Sequence, residues 1–348
     1  MKLKMGYFLS ALALLLLPLF PGPSTAAEPG NVYRLLIVEA QKGEPYLSVR
    51  LAMLDELGKL GFKEGSNLQV KYYSIGNKEG ATKSIWDAES GSGHDVIFLN
   101  GTVVTEGFKK LALGDMKHRF VFGAVTDPVG IGVIDQFDVP PKANFTGVCY
   151  PVKVEERLRF IRQVMPHAKK IALIDAGMPQ SHSYRKWMED ALKLPEFKDL
   201  KVSFRSVEFV KSEEGHRRMA ELAKKFVLEL DPVVDAFITP NDQMGVQQPF
   251  ADMVFKTATK PLIGLSKKEI TDSWGGVMAL YPDTERMGRI SAEMIKLLFD
   301  GQPIQSVFPR CPEGGGYAFD LEKTKKFGIT IPPKLLEAAE KTGGVVGK

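Results

Sequence analysis

The residues best suited to chemistry fall in five short polar clusters, each directly after an apolar run. They are Asn100-Gly101-Thr102 after "DVIFL", Thr126-Asp127-Pro128 after "FVFGAV", Gln180-Ser181-His182-Ser183-Tyr184 after "IALIDAGMP", Asn241-Asp242-Gln243 after "AFITP", and Ser266 after "PLIGL". Hydroxyls, amides and carboxylates in such places hold a solute by hydrogen bonds. They also cap helices, and for any single cluster capping is reason enough. Five of them at strand ends point to a shared cleft, because open α/β sheets bind ligands outside the carboxyl ends of their strands. Helix N-termini at that edge offer free N–H groups and a positive dipole end to an anion.

The groups needed for bond making do not assemble. There is no G-x-x-x-x-G-K-[ST] phosphate loop, and the first apolar run continues as "VEAQKGEP", without G-x-G-x-x-G. "ESGSGH" (89–94) is rich in glycine but precedes a strand, and no G-x-S-x-G elbow occurs. The histidines His94, His118, His167, His182 and His216 are scattered, with no H-x-H or H-x-x-x-H pair, so no metal site is expected. Glu155-Glu156 and Glu213-Glu214 fall where helices begin, and their expected role is to complement the helix dipole. The expectation is a protein with no catalytic residues, metal or cofactor, whose partner is a small molecule.

Periodicity supplies the elements that carry these clusters. "VYRLLIVEA" (32–40), "LQVKYYSI" (68–75), "DVIFLNG" (95–101) and "RFVFGAV" (119–125) predict strands. Helical stretches alternate with them, as in 45–62, where Leu47, Leu51, Leu54 and Leu57 share a face. The strand ending at Val125 is expected to be the last of this first set. The pattern restarts with a helix over 151–165 and strands at 170–177, 201–210, 234–242, 261–266, 275–281 and near 316–320. Helices are predicted over 181–193, 213–230, 243–257, 283–301 and 332–341. Repeated βα units imply parallel sheets with helices on both faces. The fold class is therefore α/β, with two doubly wound parallel-sheet lobes.

The chain has 348 residues and two cysteines. Residues 1–27 are expected to be a cleavable signal peptide. Lys2 and Lys4 precede the apolar run "LSALALLLLPLF", which is shorter than the ~20 residues of a membrane span, and "PGPSTAA" follows. The remainder is too long for one ordinary core, so two domains are expected. Its net charge falls from +4 to about +2 without the two lysines. That near balance argues against nucleic acid, and stable membrane insertion is not expected. In an exported chain Cys149 and Cys311 form a disulfide or remain buried thiols, and composition leaves both open.

Three segments carry a family resemblance: "AVTDPVGIGV" (124–133), "NFTGVCYPVKVEERLRFIRQVMPHAKKIALI" (144–174) and "YPDTERMGRISAEMIKLLFDGQPI" (281–304). Over residues 32–335 the chain resembles ABC-transporter substrate-binding proteins of the tryptophan/tyrosine/phenylalanine-binding type. The resemblance implies the type I periplasmic binding protein fold, with lobes of residues 28–148 plus 282–304 and 149–281 plus 305–348. Three hinge crossovers, near 146–151, 280–284 and 303–312, would join them. It implies ligand contacts at Gln41, Asn100, Gly101, Thr102, Thr126, Asp127, Ser181, Ser183, Asn241, Asp242 and Ser266. It also brings Cys149 and Cys311 to neighbouring crossovers, where a disulfide would tie two hinge strands. Departures are "GTVV" (101–104), where the family has small residues, and Lys267-Lys268-Glu269 after Ser266. A lysine there that faced the cleft would favour a more acidic ligand. The implied function is a monomeric periplasmic protein that captures an amino acid or similar solute and delivers it to an ABC permease by hinge closure. The competing expectations are a ligand sensor docking on a signalling receptor and an exported α/β enzyme.

Overall fold

A computed structural model describes residues 31–150 and 153–347. The expected signal peptide lies outside the described residues. The first sheet takes its strands from β1 (Tyr33–Glu39), β2 (Leu68–Ser74), β3 (Val96–Asn100), β4 (Phe120–Val125) and β5 (Phe145–Cys149). All pair in parallel, in the order β2-β1-β3-β4-β5. Helices α1 (Tyr46–Lys59), α2 (Ala81–Glu89) and α3 (Thr102–Ala112) connect them. β3, β4 and β5 are buried along their whole length, which is why β3 and β4 read as apolar runs. The last strand before the chain leaves this lobe is β5, not the expected β4. "FTGVC" carries a glycine and a threonine within five residues, and its apolar signal is diluted accordingly.

The second lobe begins with α4 (Val154–Val164), β6 (Lys170–Ala176), α5 (Pro179–Ala191), β7 (Lys201–Val207), α6 (Gly215–Leu230) and β8 (Ala236–Ile238). It continues with α7 (Gln248–Thr257), β9 (Leu262–Gly264), α8 (Lys268–Thr271) and β10 (Met278–Pro282). The chain then returns to the first lobe as α9 (Thr284–Phe299), which packs along α1. Close approach of these helices requires Gly288, where a Cβ would sit 2.5 Å from the Val49 carbonyl. The chain crosses back as β11 (Gly315–Asp320), α10 (Leu321–Lys326), α11 (Pro333–Lys341) and β12 (Val345–Val346). The second sheet is ordered β12-β11-β10-β9-β8-β6-β7 and is parallel except for the antiparallel β10–β11 pair. α7 starts five residues later than its periodicity predicts, because 243–247 form a loop.

Two of the crossing segments run side by side. The Cys149 N–H donates to the Arg310 carbonyl at 3.0 Å, and the Arg310 N–H to the Gly147 carbonyl at 2.9 Å. The Thr146 hydroxyl donates to the Val307 carbonyl at 2.6 Å. Cys149 and Cys311 form a disulfide across them, with Cα atoms 4.9 Å apart.

Candidate functional site

The carboxyl ends of the two sheets face each other. At the centre of the contact the Asn241 amide of the second lobe donates to the Thr126 hydroxyl of the first at 3.3 Å. Beside it the Asn77 amide donates to the Gln243 side-chain oxygen, and also to that of Gln41 at 3.3 Å. The Gln247 amide donates to the Glu44 carbonyl. On one flank Lys268 of the second lobe pairs with Glu44 of the first. On the other the Glu213 carboxylate accepts from the Lys42 N–H and, at 2.7 Å, from the Ser74 hydroxyl. Glu213 lies before α6 and reaches across the cleft, so its expected service to the helix dipole is not what it does. Glu155 and Glu156 do occupy the first turn of α4.

These contacts enclose a chamber lined by Tyr46, Thr102, Thr126, Tyr150, Gln180, Asn241, Asp242, Gln243 and Val246, among others. Its free volume is about 20 Å³, room for about one water. The chamber adjoins a larger groove of about 380 Å³ beside the crossovers, with Pro45, Tyr150 and Val246 as common walls.

Two features give the chamber its polarity. The first is the N-terminus of α3. Its cap residue, Gly101, has φ 116°, and a Cβ there would come within 2.6 Å of the Tyr46 ring. No side chain caps this end, so first-turn N–H groups remain free for an anion. The Thr102 hydroxyl accepts from the Thr126 N–H at 3.3 Å, which sets the two threonines side by side. The second is Asp242. It accepts from the Ala176 N–H at 2.8 Å, the Gly245 N–H at 2.9 Å and the Ser181 hydroxyl at 3.0 Å. Burial nevertheless pushes its carboxyl up to about 7, against the lowering effect of those donors, and the Asp175 charge adds to the rise. Burial also pushes the Tyr46 phenol up, with the Glu39 and Asp242 charges adding to it.

A buried scaffold fixes the second-lobe loops. The Arg157 guanidinium donates to the carbonyls of Thr239 at 2.6 Å and Ile263 at 3.0 Å, and to the Tyr184 hydroxyl at 2.8 Å. Glu269 accepts from the Leu265 and Ser266 N–H groups at 2.7 and 2.6 Å and from the Thr239 hydroxyl at 2.5 Å. Burial raises its carboxyl above the ordinary range.

The expected site residues therefore divide. Thr102, Thr126, Asn241 and Asp242 meet at the chamber. Gly101 shapes the α3 terminus, Ser181 holds Asp242, and Ser266 lines the groove. Gln41 is buried against Asn77. Asn100 turns inward, donating to Glu39 and to the Tyr46 carbonyl, both at 2.9 Å. Asp127 is placed outside the chamber, where its carboxylate accepts from the Gly130 N–H at 2.8 Å and closes the loop after β4. Ser183, half-buried on α5, also lies off the chamber. Tyr46 and Tyr150 are additions, as is the pairing of Lys268 with Glu44. Gln180 and Gln243 stood within the polar clusters, whereas nothing in the apolar pattern marked the tyrosines. Among the described residues no group of three or more His, Cys, Asp or Glu could hold a metal, and no helix is long and apolar enough to cross a membrane.

Comparison with known proteins agrees with this fold. A structure of an ABC domain in complex with L-Trp from Streptococcus pneumonia superposes with a TM-score of 0.76 at 18% identity, covering 91% of this chain and all of that one. A conserved domain protein from Vibrio cholerae gives 0.75 at 18% identity, covering 88% of this chain and 98% of that one. A tyrosine-binding protein of Clostridioides difficile is 21% identical over 249 residues, 71% of this chain and 67% of the relative. A sequence model described as ABC transporter substrate binding protein matches residues 42–343. The chain belongs to that family.

Proposed function

We propose that this substrate-binding protein takes an α-amino acid. The observation that carries the reading is the pairing of α3's uncapped N-terminus with Asp242 across one chamber. The first suits a carboxylate and the second an ammonium group. No cationic side chain is among the described residues lining the chamber, so the helix terminus and the two threonines would carry the carboxylate. The reading agrees with relatives named for tyrosine binding and solved with L-Trp. The ligand-contact set we propose is Thr102, Thr126, Asn241 and Asp242, with Tyr46, Tyr150, Gln180 and Gln243.

The lobes, taken as residues 28–148 plus 282–304 and 149–281 plus 305–348, would close on the ligand by bending at the crossovers. The protein would work in the periplasm as a monomer after loss of residues 1–27, and hand its ligand unchanged to an ABC permease. A thermal-shift panel of L-amino acids, myo-inositol and simple sugars tests this. Ligand at one hundred times Kd raises stability by about 2.7 kcal/mol. A shift with amino acids is expected, and a shift with sugars alone would overturn the reading.

A further inference from the structure

The chamber would have to widen even for an amino and a carboxylate group and leaves no room for a side chain, whereas the groove beside it does. With about 380 Å³ it reaches the range of roughly 300–1,000 Å³ typical of small-molecule sites. Its inner walls are Tyr150, Val246 and Leu265, and Tyr281 stands at the crossover side. Glu44 and Lys268, one from each lobe, pair on its wall. Glu44 is the more buried partner, its side chain 10% exposed against 40% for Lys268, and it also accepts from the Ser48 hydroxyl at 2.6 Å.

The other charged groups on the groove are also occupied. The Lys267 ammonium donates to the Thr342 carbonyl at 2.6 Å. Asp283 accepts from the Arg286 N–H at 2.8 Å, capping α9, and Glu285 lies 3.7 Å from Arg289. A charged ligand side chain would lose water there, and among these groups only Lys267, held to the Thr342 carbonyl, has no opposite charge beside it. An uncharged one would incur no such cost.

Building on the amino-acid reading, we infer that this groove is the side-chain compartment of the site and that the Glu44–Lys268 pair makes it select an uncharged side chain. Charge selection then depends on two residues far apart in sequence. Removing Lys268 leaves a buried carboxylate in the groove, which a cationic side chain would match. Removing the Glu44 charge leaves an ammonium that an anionic side chain would match.

The test is calorimetric titration of wild type, Lys268→Met and Glu44→Gln with L-phenylalanine, L-methionine, L-glutamine, L-lysine, L-arginine and L-glutamate. Melting of each ligand-free protein confirms that it is folded. Wild type is expected to bind the uncharged group at least about tenfold more tightly than the charged ones. Lys268→Met should move that ratio about tenfold toward lysine and arginine, and Glu44→Gln about tenfold toward glutamate. Wild type that prefers a charged side chain, or variants whose ratios do not move in these opposite directions, would overturn the inference and leave the amino-acid reading standing. Wild type that binds none of the six while binding a sugar would overturn both.

Discussion

Replacing Asp242 with asparagine separates the cost of its charge from everything else in the cleft. Burial raises the carboxyl from 3.8 to about 7. At ~1.36 kcal/mol for each pH step, holding it ionised in the folded protein costs about 4 kcal/mol. The folded state binds this proton more tightly than the unfolded chain does. The favourable contribution is therefore complete below about pH 4 and lost as pH rises through about 7. Asparagine does not titrate over this range. It also presents one acceptor oxygen instead of two to the Ala176, Gly245 and Ser181 donors, which adds a penalty independent of pH. Urea denaturation of both proteins between pH 4 and 8 isolates the slope, because the other buried groups, Glu39, Glu269 and His216 among them, cancel in the difference. Wild type should lose about 4 kcal/mol more than the variant across that interval. Parallel curves would refute the assignment. The same reasoning extends to binding. An ammonium placed against Asp242 favours the ionised form, so ligand uptake near pH 6 should release a proton. Titration calorimetry in two buffers of different ionisation enthalpy reads that release, and equal heats in both would mean that the ligand's amine does not meet this carboxylate.

The disulfide between Cys149 and Cys311 spans 162 residues. On a chain-entropy estimate its loss in the double serine variant should cost up to about 5 kcal/mol, measured by urea denaturation against the unreduced wild type. Arg157→Met removes the donors that satisfy the buried Thr239 and Ile263 carbonyls and the Tyr184 hydroxyl, and should destabilise by about 3 kcal/mol or more in the same assay. Asp127→Ala should leave ligand affinity within about twofold while lowering stability by roughly 0.5–1 kcal/mol, because the carboxylate closes its own loop. A tenfold loss of affinity would return Asp127 to the site.

The elements were legible wherever burial on both faces left an apolar run, as at Leu35–Val38 or Phe98–Leu99. Strand β5 was hidden because Gly147 and Thr146 serve the crossover rather than the core. The polar residues at strand ends were legible as a class. Their roles were not, because side-chain direction is set by packing. Asn100 and Thr102 are two residues apart, yet one turns into the lobe and the other lines the chamber. Thr126 and Asp127 are neighbours on opposite sides of one loop end. Contacts such as Glu44–Lys268 and Ser74–Glu213 join residues more than 100 positions apart, and no local pattern carries that information.

The chemistry of the contacts between the lobes says how closure can remain reversible. Among the described residues the polar contacts between the lobes include Asn241–Thr126, Asn77–Gln243, Gln247–Glu44, Lys268–Glu44 and Glu213 with Lys42 and Ser74. Each exchanges a bond to water for one to protein, a net gain of about 0.5–1.5 kcal/mol, somewhat more where a carboxylate takes part. An apolar seam of similar extent would hold the lobes shut without ligand. A polar one leaves open and closed forms close in free energy, so a ligand that binds both lobes can shift the balance. The shift is limited to the ligand's preference for the closed form. The groups that create that preference are the ones split between lobes. The α3 terminus with Thr102 and Thr126 lies on one side, and Asn241 with Asp242 on the other. A ligand that engages only one set binds without closing the cleft.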